Sequence, residues 1–154
     1  MDRTFLPDNL RGALAVAVDD SPAAREALRW TAALAGRLVS PWHVVTVWNF
    51  VHGDAPAGEG PTASPSLARW QAESERRLAA LVDEEAPDAG AQLLCLHGNT
   101  VPTLLALSDL VDHLVVGTRG RGGFSGLLLG STSDQLVRYA HCPVTVVGHR
   151  RAPG

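Results

Sequence analysis

The sequence contains no lysine: all thirteen of its basic residues are arginine. That absence excludes several chemistries. A Walker P-loop places a lysine on the β- and γ-phosphates, a protein kinase needs its strand lysine, and a pyridoxal enzyme needs a Schiff-base amine. Any nucleotide held by this chain is held without an ammonium. Cysteine is scarce too, with only Cys95 and Cys142. Two cysteines in 154 residues make no disulfide framework, and they are expected to be buried free thiols of the kind a reducing cytosol maintains. There is no basic surplus: net charge is -3, and Arg76-Arg77 and Arg150-Arg151 are too short to form a nucleic-acid footprint. No stretch approaches the roughly 18 apolar residues of a membrane span. The segment Met1 to Asp8, with its acids and Pro7, does not read as a secretory signal. Hydrophobic residues at 45% and charged residues at 19% are ordinary globular usage. The expectation is a soluble, cytoplasmic, single-domain protein with a conventional core.

Short apolar runs alternate with longer segments of helical period, the pattern of β-α-β units around a parallel sheet. Ala13 to Val18 is a continuous apolar run, as for a strand covered on both faces. It ends in Asp19-Asp20-Ser21-Pro22, where Ser21 suits a helix cap and Pro22 the first helical position. Ala24, Ala27, Leu28, Thr31, Leu34, Ala35 and Leu38 then form one stripe, predicting a helix from about Pro22 to Arg37. His43 to Trp48 reads as a second strand. Phe50 to Ser64, rich in glycine and proline, reads as a mobile connection. Ser64-Pro65 repeats the capped start, and Leu67, Trp70, Ser74, Leu78, Leu81 and Val82 mark the inner face of a helix ending near Glu85. Gln92 to His97 is a third strand, Val101 to Leu110 a short helix, Leu114 to Gly117 a fourth strand, Ser131 to Ala140 a last helix and Val144 to Val147 a fifth strand. The fold class is therefore α/β: one open, doubly wound, parallel five-stranded sheet with helices on both faces, Rossmann-like. If its order is 3-2-1-4-5, the strand order reverses between the first and fourth strands, and ligands of such sheets lie beyond the carboxyl ends at that reversal. The two exits that meet there are Asp19-Asp20 and Gly117-Thr118-Arg119-Gly120.

The second exit leads into a glycine-rich stretch, Thr118 to Gly130. Glycines at a strand end let backbone N–H groups approach an anion, having no Cβ and tolerating positive φ. Gly130 then opens a helix whose first N–H groups and dipole favour negative charge, and Ser131, Thr132 and Ser133 add hydroxyl donors. Such a cradle of amides and hydroxyls holds phosphates without a lysine. Arg119 and Arg121 are candidates to neutralise phosphate charge.

Gly117, Gly120, Gly130 and Ser131 match in register the G-x2-G-x9-G-[ST] nucleotide motif of the universal stress protein family. Val16-Ala17-Val18-Asp19-Asp20-Ser21-Pro22 resembles that family's opening strand, and His141-Cys142-Pro143-Val144-Thr145-Val146-Val147 its closing one. The resemblance covers roughly Arg11 to Gly148 and implies a family domain over residues 11–149 with short tails at 1–10 and 150–154. It further implies ATP or another adenine nucleotide as ligand, with Mg²⁺ on the phosphates. Asp19 then belongs to the nucleotide site, Ala17 and Val18 neighbour the base, and Val47 offers adenine a backbone contact. Gly117, Gly120, Gly130 and Ser131 hold ribose and phosphates, with Thr132 and Arg121 as further donors. Family members pair their last strands, here Val144 to Val147, which implies a homodimer. The implied role is a nucleotide-responsive stress regulator acting on a protein partner, with no nucleic acid or membrane involved. The alternative is a slow ATP hydrolase or autophosphorylating protein, for which only Asp19, Asp20 and the hydroxyls of Ser131 to Ser133 offer candidate groups.

Other signals read as structure. His141-Cys142 has no second ligand pair at metal spacing, and His97 and His113 fall at strand boundaries. Gly123-Phe124-Ser125-Gly126 is not a nucleophile elbow, because Leu127 stands where glycine is required. The first turn contains no glycine, so a dinucleotide fingerprint is absent. The four tryptophans, Trp30, Trp42, Trp48 and Trp70, read as packing.

Overall fold

Strand residues of one parity face one helix layer and those of the other parity a second layer, and this alternation builds the whole molecule. The computed structural model describes residues 6–7, 10–49, 67–120, 126 and 128–149. Leu14–Ala17 forms β1, Pro22–Leu38 α1, Trp42–Trp48 β2, Leu67–Glu85 α2, Gln92–His97 β3, Thr100–Ser108 α3, His113–Gly117 β4, Ser131–Tyr139 α4 and Val144–Val147 β5. The strands lie in the order β3-β2-β1-β4-β5, and every pair is parallel. The expected order and fold class are thus observed. Element ends differ from the sequence expectation by one or two residues, as frayed helix ends and strand tips do.

Leu14, Val16, Val18, Val44 and Val115 pack with Ala27, Leu28, Leu78 and Leu81 of α1 and α2. Ala15, Val45, Leu114 and Val116 pack on the other face with Leu104, Leu107 and Leu136 of α3 and α4. Each of these buried leucines contributes about 1.5–3 kcal/mol of transfer free energy, so both layers are held by burial and the middle of each central strand is covered on both faces.

Helix α1 begins as its sequence dictates, with Ser21 as the cap and Pro22 in the first turn. It ends at Val39, whose backbone is left-handed (φ 51) and whose N–H donates to the Ala35 carbonyl. Two residues assigned to inner faces are instead exposed: Leu38 (59%) and Leu67 (55%). Both are terminal residues of their helices. Leu67 lies one turn before Trp70, the first α2 residue buried in the core. The thiols are unpaired as expected, but Cys95 and Cys142 are half-buried rather than buried. Desolvation raises the pKa of both, which keeps them protonated and unreactive at neutral pH. The Phe50 to Ser64 connection and the Ser64-Pro65 helix start lie outside the described residues.

Candidate functional site

Two turns meet where the strand order reverses. In the first, between β1 and α1, Asp19 follows the buried Val18, and its Oδ1 accepts the Ser21 N–H at 3.1 Å. The Ser21 hydroxyl oxygen accepts the Ala24 N–H at 3.2 Å, capping the helix, and its O–H donates to the Arg119 carbonyl at 3.2 Å. One side chain therefore caps α1 and ties the first turn to the second. Asp20 between them has a left-handed backbone, φ 64. Its carboxylate is gripped by Arg25, with Nε at 2.8 Å and Nη2 at 2.6 Å.

The second turn, between β4 and α4, leaves the sheet through Thr118, whose N–H still donates to the Val147 carbonyl at 2.9 Å. The missing Cβ atoms matter here, as the sequence suggested, but the space they free is taken by other parts of the chain. None of Gly117, Gly120 and Gly130 has positive φ, and each instead sits where a Cβ would strike a neighbour. At Gly117 it would stand 2.7 Å from the Ala23 carbonyl carbon, at Gly120 it would overlap Oδ2 of Asp19, and at Gly130 it would crowd the Arg119 Cα at 3.3 Å. Removing the side chain lets β4 lie against the first turn of α1 and lets the loop close over Asp19. Gly130 is the N-cap of α4, its N–H donating to the Thr118 carbonyl at 2.7 Å.

The N-terminus of α4 presents main-chain N–H groups that lack intrahelical acceptors, together with the positive end of the helix dipole. Ser133 was expected to add a hydroxyl to this cradle, but its O–H is spent internally. It is buried and lies 2.9 Å from the Thr118 carbonyl and 3.0 Å from that of Gly130. Of the three hydroxyls, those of Ser131 and Thr132 are the ones left to face a ligand.

The turns open into one cleft of about 570 Å³. Ala17, Val18, Asp19, Val47, Gly117, Gly120, Gly130, Ser131 and Thr132 all line it; Arg121 lies outside the described residues. Arg119 also lines the cleft. The far wall was not anticipated. Trp48 and Trp70, read above only as packing, line the cleft from β2 and α2. Their rings are stacked with centroids 6.2 Å apart, and the His97 ring lies 4.5 Å from that of Trp48. The Trp48 Nε1–H donates to Gln71 Oε1 at 2.8 Å, which fixes the indole plane. The sequence signal that could have found this wall is Trp48 itself, directly after Val47 at a strand exit. Helix α2 also lends the cleft a charged pair, Arg77 Nε to Glu73 Oε1 at 2.8 Å. Arg76 and then Arg77 hold the Glu73 carboxyl down to about 2, so it is ionised at any physiological pH.

Two further histidines have partners away from the cleft. His113 Nε2 lies 2.7 Å from the Thr145 hydroxyl, and His141 pairs with Asp109 on the surface. Among the described residues no group of three or more His, Cys, Asp or Glu could hold a metal ion, and no helix is long and apolar enough to cross a membrane.

The arrangement can therefore hold an anion at α4 and a flat apolar group between the exits of β1 and β2. Known proteins show the same frame. The chain is 34% identical over 139 residues to the universal stress protein Rv2623 of Mycobacterium tuberculosis, covering 86% of this chain and 46% of that protein. It thus spans about half the length of the curated relatives it matches. Among solved structures it resembles a universal stress protein in complex with cAMP (22% identity, TM-score 0.62, 90% and 97% of the two chains). It also resembles the universal stress protein of Archaeoglobus fulgidus in complex with dAMP (20%, 0.56, 88% and 96%). Residues 12–148 match the universal stress protein family as a whole. The chain belongs to the universal stress protein family.

Proposed function

We propose that the cleft binds an adenine nucleotide, ATP in its physiological form, and that the chain is a nucleotide-responsive regulator whose bound state is read by a protein partner. The observation that carries this reading is the convergence of three features on one cleft: a carboxylate at Asp19, the amide and hydroxyl end of α4, and an apolar wall at the exits of β1 and β2. In it Ala17, Val18 and Val47 flank the base and Asp19 faces the ribose. Gly117, Gly120, Gly130, Ser131 and Thr132 surround the phosphates, with Arg121 as a further cation. Two solved proteins of like fold, in complex with cAMP and dAMP, support adenine as the base. Mg²⁺ fits this donor set only as an ion carried in on the phosphates, because the described residues offer no cluster of three acids or histidines to cage it. Strand β5 is a sheet edge whose four residues are all half-buried. Pairing Val144–Val147 with a second copy would close that edge, and we include a homodimer in the proposal.

Isothermal titration with ATP, AMP and cAMP tests it, using wild type, Asp19→Asn and Gly120→Ala. Among the described residues the added Cβ of Gly120→Ala meets only the tip of the Asp19 side chain, so the carboxylate is pushed aside while the main chain there keeps its place. Wild type is expected to bind at least one of the three. Each variant is expected to bind about tenfold more weakly, a loss of about 1.4 kcal/mol. A flat wild-type isotherm for all three nucleotides, or two variants that bind like wild type, overturns the reading.

A further inference from the structure

We infer that Arg25 is a positioning residue for the cleft: it clamps Asp20 in a left-handed backbone conformation and so sets the directions of Asp19 and Ser21 on either side. The effect on ligand binding rests on the nucleotide reading above; the geometry does not.

Three non-glycine residues among those described have positive φ, namely Asp20, Val39 and Asp88. Of these, only Asp20 lines the cleft. Aspartate visits this region more readily than most residues, yet such a conformation persists only where its surroundings over-determine it. Arg25 supplies that. Its Nε and Nη2 both meet Asp20 Oδ1, at 2.8 and 2.6 Å, and its own N–H donates to the Ser21 carbonyl at 3.0 Å. Main chain and side chain of one residue thus close on the same turn from the first turn of α1. The guanidinium is itself anchored from the other side, with Nη1 at 2.6 Å from Glu85 Oε1 and 3.0 Å from Glu84 Oε2. The Glu85 side chain is 9% exposed, so the anchor stands on a fixed carboxylate at the end of α2.

The consequence runs through chain geometry. Asp19 Oδ1 accepts the Ser21 N–H across Asp20, and Ser21 reaches forward to Ala24 and across to Arg119. A return of Asp20 to negative φ would turn the peptides on both sides and move the Asp19 carboxylate and the Ser21 hydroxyl together. In these contacts the Arg25 guanidinium touches Asp20, Glu84 and Glu85, of which only Asp20 lines the cleft, so the side chain acts through that residue.

A plain tie between α1 and α2 would use the same Arg25–Glu85 pair, and the two roles separate in a double-mutant cycle. Glycine adopts positive φ about as readily as negative, so Asp20→Gly builds a turn that needs no clamp. Arg25→Gln is made in the wild-type and Asp20→Gly backgrounds, and each loss is measured within its own background. Two readouts are taken: AMP affinity by titration calorimetry, and hydrogen exchange of the Ser21 and Ala24 amides relative to the Val115 amide of the core. In the wild-type background Arg25→Gln is expected to weaken AMP binding by about fivefold or more, the low end of couplings between a remote group and a site. Exchange at Ser21 and Ala24 should rise with it. In the Asp20→Gly background both effects should shrink below about twofold, while the unfolding midpoint falls in both backgrounds because the tie to Glu85 is lost in each. Equal losses in the two backgrounds, or unchanged exchange at Ser21 and Ala24 in the first, overturn the inference. If wild type binds none of ATP, AMP and cAMP, the nucleotide reading loses its support; whenever AMP binding is absent, the exchange readout alone decides whether Arg25 sets the turn.

Discussion

The turns that follow β1 and β4 face each other across the cleft and are built by opposite means. The first is latched by polar side chains: Asp19 on the Ser21 N–H, Ser21 on α1, and Arg25 on Asp20. The second is assembled by leaving side chains out, with glycines at 117 and 120 where a Cβ would collide and at 130 where it would be crowded. The difference decides how each turn fails. A polar latch can be replaced by another polar group and loses energy in steps of about 1 kcal/mol. Where the neighbour is main chain, as at Gly117, the failure is not graded, because the added atom meets atoms that cannot rotate away; at Gly120 the neighbour is the Asp19 carboxylate, which can move aside.

The largest effect is therefore expected at Gly117. A methyl group there would lie 2.7 Å from the Ala23 carbonyl carbon and 2.9 Å from the Ala24 nitrogen. Gly117→Ala should cost about 3 kcal/mol, the upper part of the range for overpacking, since α1 must move away from β4 as a unit. Urea denaturation would show this as a lower midpoint at unchanged slope. A variant within about 0.5 kcal/mol of wild type would mean that the two turns are not packed as rigidly as their contacts indicate.

A smaller, graded loss should follow at the polar turn. Ser21→Ala removes the cap of α1 and the hydroxyl that donates to the Arg119 carbonyl. The expected cost is about 1 kcal/mol, the usual worth of a cap, with most of it restored in Ser21→Thr. If Ser21→Ala proves as damaging as Gly117→Ala, the contrast between latch and close packing collapses.

How far these features could be read from the chain follows the distance of their causes. The five strands, the Ser21 cap and the Gly130 helix start are local patterns, and each appears where the residues place it. The need for glycine at 117 and 120 comes from Ala23 and Asp19, about a hundred positions away, so the motif was visible while its physical reason was not. Sequence reasoning offered a missing Cβ, for an anion to approach, and tolerance of positive φ; in the structure the space freed at 117 and 120 is taken by Ala23 and Asp19, and Gly126 carries the positive φ. Trp48 and Trp70 lie on either side of residues 50–66, and nothing in their spacing tells that their rings stack. Arg25 presents itself as one more charge on an amphipathic helix, because its anchor Glu85 belongs to a different helix sixty residues on. Leu38 and Leu67 show the converse: the helical period continues past the point where there is a sheet to cover, so periodicity alone overextends the core.

The mildest test lies away from both turns and asks whether the cleft is independent of the stability of the sheet behind it. His43, the second residue of β2, is 3% exposed. Its Nε2 meets Gln92 Oε1 at 3.0 Å, and its Nδ1 is buried without a hydrogen-bond partner among the described residues. Burial lowers its pKa from the ordinary 6.5. The sign follows directly. Below about pH 6.5 the unfolded chain takes up a proton that the folded chain refuses, so stability falls as pH drops toward the folded-state pKa; above that pH His43 contributes no slope. Urea midpoints should thus be level between about pH 8 and 7 and decline below about 6.5, and His43→Gln should remove that part of the decline. The contact that joins the two turns, Ser21 hydroxyl to Arg119 carbonyl, and the one that closes the second turn on itself, Gly130 N–H to Thr118 carbonyl, contain no titrating group. Amide chemical shifts of Ser21 and Gly130 should accordingly stay fixed over the pH range in which the midpoint moves. Shifts that follow the midpoint would show that the turns depend on the far end of the sheet, and that latch and close packing are not local devices.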